Sequence, residues 1–232
     1  MIHPARFAAA FVLFITAASL EAKNEPASIV WAELPDPSAQ QFEDPYRDLT
    51  EDQVEQLRIV VQAREELALE TTPQQDRPGI ESRLTTAIEA FSAADIDVDW
   101  LIAQRWVVAQ RRERAANAAN RAFDGRSVSI AGFAIPAPLD ADGTPTVYLV
   151  EVAGQCSHMP PPPPNQMVKV RLESGWAPTF MNQPVRLKGQ LHIDPSERVF
   201  PIVDGDVAMK ATWRLDASDV EELRPAATDV GE

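Results

Sequence analysis

Sulfur and imidazole are scarce in this chain: one cysteine and three histidines in 232 residues. A lone cysteine excludes an internal disulfide and the Cys-x-x-Cys pairs of structural zinc sites and thiol oxidoreductases. Glycine is also sparse, with nine residues. None builds a phosphate-cradling loop or a Gly-x-Ser-x-Gly elbow, which removes the sequence basis for P-loop and hydrolase chemistry. There is no internal repeat. Positive charge is short as well: 21 Lys and Arg face 35 Asp and Glu, for a net charge of −14. Such a surface repels a phosphate backbone, so nucleic acid is excluded as a partner, and cations or basic proteins are the better electrostatic match.

Long apolar runs are missing except at the start. Arg6, the stretch Phe7 to Leu20, and Ala17, Ala18, Ser19 and Ala22 read as a secretory signal over residues 1–22. The run falls short of the ~20 apolar residues that span a bilayer, and an uncleaved membrane anchor is the alternative. No stable membrane insertion is expected once the signal is cleaved, and cleavage also removes His3. No cysteine lies near the cleavage region, which argues against a lipoprotein.

What is abundant is proline, with 20 residues. Pro26, Pro35, Pro37 and Pro45 keep the stretch from Lys23 to Asp48 irregular, with Ile29 to Trp31 as a short strand or docking peg. Helical periodicity follows. Thr50 and Gln53 form a capping box, and Val54, Leu57, Val61 and Ala68 make one stripe of a helix that ends before Pro73. A second helix is predicted over Ile80 to Ser92. A third is capped by Asp97, runs to Phe123 with Trp100 and Trp106 as core anchors, and is closed by Asp124-Gly125. Its Arg111, Arg112 and Arg114 are either a solvated face or a dock for an acidic partner.

From Arg126 the pattern alternates. Arg126 to Ala134, Thr146 to Val152, Met167 to Glu173, Val185 to Ile193 and Asp206 to Leu215 read as strands, with a short one at Val199 to Val203. The predicted fold class is α+β: an N-terminal helical region over residues 23–124 packed on a small five- or six-stranded barrel over 125–216. Its shape is of the oligonucleotide/oligosaccharide-binding (OB) type. Residues 217–232 read as a short helix and a loose acidic tail.

Chemistry concentrates in Gln155-Cys156-Ser157-His158-Met159, followed by Pro160, Pro161, Pro162, Pro163 and Pro164, then Asn165-Gln166. In an extended chain Cys156 and His158 share a face. The prolines form a polyproline II rod of roughly 15 Å. The string Cys156-x-His158-x-Pro160 to Pro164-Asn165-Gln166, preceded by Gly132-Phe133-x-x-Pro136 and by Trp31-Ala32-Glu33-Leu34-Pro35, resembles the exported bacterial DUF3299 family of domains of unknown function. The resemblance implies a periplasmic envelope protein without an established activity, near transporter components.

Three readings of the motif stand side by side. Cys156, His158 and His192, with Met159 as a soft donor, could bind zinc or copper in a metal-handling accessory protein of an envelope transport system. Alternatively Pro160 to Pro164, Asn165 and Gln166 dock a transporter component in a noncatalytic interaction module. Third, Cys156 is the nucleophile of a thiol enzyme with His158 or His192 as base. The thiol can also be a buried apolar group, and the prolines a rigid spacer between strands.

Overall fold

The computed structural model describes residues 25–224 apart from 157–158, 174 and 203–204. The expected signal at 1–22, the end of the acidic tail and His158 all lie outside the described residues. Within them the protein is a mixed α/β structure with three helices and a six-stranded sheet that closes into a ring.

The helices begin where local chemistry satisfies exposed amides. In α1 (Glu51–Ala68), Thr50 Oγ1 accepts from the Gln53 amide while Gln53 Oε1 accepts from the Thr50 amide, the reciprocal capping arrangement expected from sequence. Its buried positions are Val60 and Ala63, so the inward stripe lies beside the expected one, and Val54 is exposed. Helix α2 (Arg77–Ala93) starts one turn early because Pro78 sits in the first turn, where a missing N–H costs nothing. Helix α3 (Val98–Asn117) is capped by Asp97, which accepts from the Trp100 amide. Val60, Ala87, Phe91, Val98 and Leu101 form the shared core of the three helices.

Two expectations for α3 are corrected. Trp100 and Trp106 are 51% and 68% exposed. At 100° per residue they fall off the face defined by Val98, Leu101, Val108 and Ala115, which is the one that is buried. The helix also stops at Asn117 rather than Phe123. Beyond it the Ala118 carbonyl accepts from the Asp36 amide, the Asn120 amide donates to Leu34, and Arg121–Phe123 form a 3-10 turn. Gly125, at φ +70, therefore turns the chain into the first long strand instead of capping a helix.

The ring is built from β2 (Arg126–Ala137), β3 (Thr146–Val150), β4 (Val168–Leu172), β5 (Gln183–Ile202) and β6 (Gly205–Glu222), with the two-residue β1 (Ala27–Ser28) added parallel to β2. The spatial order β1-β2-β3-β4-β6-β5 closes through pairing of β2 with β5, and β4 runs parallel to β6. Within the ring strand β2 serves two neighbours, besides β1: its first part pairs with β5 and its last part with β3, overlapping at Phe133 and Ala134. Alternation then separates two cores. Ala134, Val147 and Leu149 face the ring interior with Trp213 and Leu215. Ile135, Tyr148 and Val150 face the other way and are covered by Met209 and Ala211 of the long β5–β6 hairpin. That hairpin is anchored by Arg198, whose guanidinium donates to the Pro138 and Leu139 carbonyls at 3.4 and 3.2 Å.

The expected separate strand near Val199 is part of β5, which passes Pro195 at a bulge between Ile193 and Ser196. The helix expected after Ala217 is instead strand: β6 continues to Glu222, with Lys188–Asp219 and Arg186–Glu221 ion pairs across the ladder at 3.0 and 3.2 Å. Those charges are paired by strand register, which a single-segment reading of an acidic stretch does not contain.

Trp31 ties the leading segment to the ring. It is 6% exposed, and its indole N–H donates to the Ala131 carbonyl at 2.8 Å. Gly132 makes room for that indole: a Cβ there would lie 2.6 Å from the Val150 carbonyl oxygen and 2.9 Å from the Trp31 ring. Two of the sequence fragments noted above thus meet in space. Gly132→Ala is expected to lower stability by about 3 kcal/mol through overpacking against backbone, as urea unfolding should show; an unchanged midpoint would contradict this packing.

Candidate functional site

Two backbone hydrogen bonds tie Gly154 and Cys156 to Met159. The Cys156 amide donates to the Met159 carbonyl and the Met159 amide to the Gly154 carbonyl, both at 3.0 Å. Cys156 adopts φ +66, a left-handed conformation that a non-glycine residue holds only when its surroundings over-determine it. Those surroundings are apolar. Its side chain joins Ile135, Tyr148, Val150, Met167, Met209 and Ala211, and the residue is 4% exposed. Burial raises the thiol pKa to about 11.

The expected donor set does not converge among the described residues. Met159 is exposed whereas Cys156 is sealed. His192 pairs across the ladder with Arg214 and lies 3.7 Å from Asp216. Arg214 and Asp216 alternate with Met209 and Ala211 along β6, so the imidazole stands on the strand face opposite to the one that covers the thiol. The idea that Cys156 and His192 share one rim is therefore corrected. Among the described residues no group of three or more His, Cys, Asp or Glu side chains could hold a metal ion. A buried thiol pushed to high pKa is also a poor thiolate ligand or nucleophile.

The proline rod is held at its far end. Pro163 has φ −54 and ψ 147, the polyproline II region, and Pro160, Pro161 and Pro163 are exposed. Asn165 is 2% exposed, and its side-chain amide donates to the Ala115 and Ala118 carbonyls at 2.7 and 2.8 Å. Its own carbonyl accepts from the Trp213 indole at 3.2 Å. Around the same helix end, Gln40 Nε2 donates to Ala115 O at 2.8 Å and Thr212 Oγ1 to Asn117 O at 3.3 Å. Carbonyls that an α-helix leaves unpaired at its C-terminus are thus taken up by the leading segment, the proline motif and β6 together. Asn165 belongs to this clamp and not to an exposed docking face.

A second feature was only half legible. Arg111 and Arg114 line a cleft of about 310 Å³ with Ser38, Gln41, Phe42 and Glu43. The arginine run is visible in sequence; the contribution of residues 38–43 is not, because it comes from a loop about seventy positions away.

A family model described as "Protein of unknown function (DUF3299)" matches residues 48–222. The chain belongs to this family. A crystal structure of a DUF3299 family protein from Pseudomonas aeruginosa is similar at 19% identity, with a TM-score of 0.43 and coverage of 87% of this chain and 99% of that one. No curated protein matches.

Two measurements test the geometry of this DUF3299 protein. Native Cys156 should resist iodoacetamide at pH 8 and react only as pH climbs toward about 11; labelling at pH 8 as fast as in the urea-unfolded chain would contradict its burial. Asn165→Ala should lose about 2–3 kcal/mol from two hydrogen bonds and the space left. Asn165→Asp should lose more at neutral pH, since a carboxylate would face two carbonyls. The buried Asp acid should have a folded pKa raised above the ordinary ~3.9. Its contribution to stability would then be greatest at low pH and decline as pH rises through the folded value. Urea unfolding at pH 3 and pH 7 checks the sign.

Proposed function

We propose that this protein is a noncatalytic interaction module of the bacterial envelope, which presents Pro160–Pro163 as a pre-formed polyproline rod to a protein partner of a transport system. The observation that carries this reading is the exposure of Pro160, Pro161 and Pro163 between two buried anchors, Cys156 and Asn165. A rod already ordered in the free protein gives up little further entropy on docking to an aromatic-lined groove. The strand order, a five-strand ring with β4 parallel to β6, supports an OB-type barrel as the scaffold. Function does not follow from that shape, and the surface charge of −14 disfavours the nucleic acids such barrels often bind. The expected signal at residues 1–22 is the basis for an envelope location.

A metal site or a nucleophile built on Cys156 needs its thiolate, which the apolar burial of that side chain does not favour.

Site-specific photo-cross-linking in producing cells tests the proposal. With p-benzoylphenylalanine in place of Pro161, a discrete adduct is expected that an excess of free decaproline suppresses in extracts, and none is expected with the probe at Glu89 on α2. No adduct at 161, or the same adducts at both positions, would overturn it.

A further inference from the structure

The charge distribution of this acidic chain is uneven in a way the proline rod alone does not explain. Most basic side chains on the described surface sit against a carboxylate, as in Arg64–Asp99, Arg171–Asp142 and Lys210–Glu197. Arg77, Arg105, Arg121, Arg126 and Arg224 have no such partner among the described residues, but Arg47, Arg111 and Arg114 also lack one and gather around a single ring, Phe42. Arg111 donates to the Glu43 backbone carbonyl at 3.1 Å and not to a carboxylate. Arg47 stacks over the Phe42 ring at 5.7 Å. Arg114 makes no ion pair among the described residues. Arg112 is the exception, held in a two-point contact with Asp44 at 2.7 and 2.9 Å.

Two clefts flank Phe42. One, of about 310 Å³, holds Arg111 and Arg114 with Ser38, Gln41 and Glu43 on its walls. The other, of about 260 Å³, is lined by Arg47 and Arg112 and reaches Pro163 at the end of the rod. On the walls of the first cleft two guanidiniums outnumber the single Glu43 carboxylate, while Asp44 and Asp48 stand with Arg111 in an adjoining cleft. Guanidinium groups bind carboxylates bidentately, and Phe42 between the clefts offers an apolar contact of side-chain size.

We propose that the Phe42 groove is a binding site for an acidic peptide segment, whose carboxylates reach Arg111 and Arg114 while its neighbouring residues lie along Phe42 toward Pro163. This deepens the reading of the rod as a docking element and names its partner's chemistry: a glutamate- or aspartate-rich stretch beside the proline-reading groove. A peptide is favoured over another polyanion because the groove is continuous with a proline segment, and proline segments are recognised by proteins. At net charge −14 the whole molecule repels a polyanion, so binding must come from local contacts within the screening distance of ~10 Å at 0.1 M salt.

The test uses the mature chain and fluorescein-labelled hexaglutamate at 0.1 M salt, read by anisotropy. Saturable binding is expected. It should weaken at least tenfold in Arg111→Gln/Arg114→Gln and stay unchanged in Arg58→Gln, whose side chain is exposed on α1. Both cleft arginines lie at the surface, and unchanged circular dichroism and unfolding midpoints would confirm that the double variant folds. No binding by the wild-type chain, or equal binding by the double variant, overturns the proposal. Binding of oligogalacturonate in preference to hexaglutamate overturns the peptide assignment. Replacing Pro160–Pro163 with alanine should leave hexaglutamate binding intact, so failure of the rod as a docking element would be seen separately from failure of this groove.

Discussion

The C-terminus of α3 needs partners for its last carbonyls, and the way it finds them holds the protein together. A helix end in water has solvent to satisfy these groups; one packed against a sheet does not. Here Asn165, Gln40, Thr212 and the Asp36 amide supply the donors. They come from the proline motif, the leading segment, β6 and the turn after Trp31, so one set of hydrogen bonds joins the helices to the ring. The β5–β6 hairpin and the leading segment are each also fixed elsewhere, by Arg198 and by Trp31, but this junction is where they meet.

That clamp explains the combination of rigid and sealed features in the motif. Upstream of the prolines, Cys156 plugs an apolar cluster in a left-handed turn; downstream, Asn165 is buried with its side-chain NH2 donating to two helix-end carbonyls. Between them proline fixes the backbone without asking for hydrogen bonds, so the segment crosses open surface at no cost in unpaired amides. The Cys156 thiol packs as a small apolar side chain, and Pro160, Pro161 and Pro163 lie exposed beside it in the chain.

Electrostatics add the second layer. Across the ring's outer face, Arg171, Arg214 and His192 are threaded among Asp142, Asp194 and Asp216. Each guanidinium there has a carboxylate partner, and the carboxylates outnumber the guanidiniums. On the walls of the two clefts around Phe42 arginines outnumber carboxylates, and one of these clefts reaches Pro163. Exposed ion pairs of the first kind contribute little to stability. Unbalanced cations in a cleft instead define what a ligand must bring.

Much of the secondary structure was legible in the sequence because its causes are local. The Thr50–Gln53 capping box, the Asp97 cap, the switch to alternation at Arg126 and the stiffness of the proline run each depend on residues within a few positions of one another. The candidate site was legible only as a list of residue types. That Asn165 reaches across to Ala115, that Trp100 and Trp106 face solvent, that β6 runs on through an acidic stretch, and that His192 turns away from Cys156 are outcomes of strand register and helix packing between distant segments. Hydrogen-bond partners some fifty residues apart leave no periodic trace in a sequence. Local residue order therefore determined most of the elements, while the closure of the ring decided which side chains meet, because only closure brings the end of α3, the proline motif and β6 to one place.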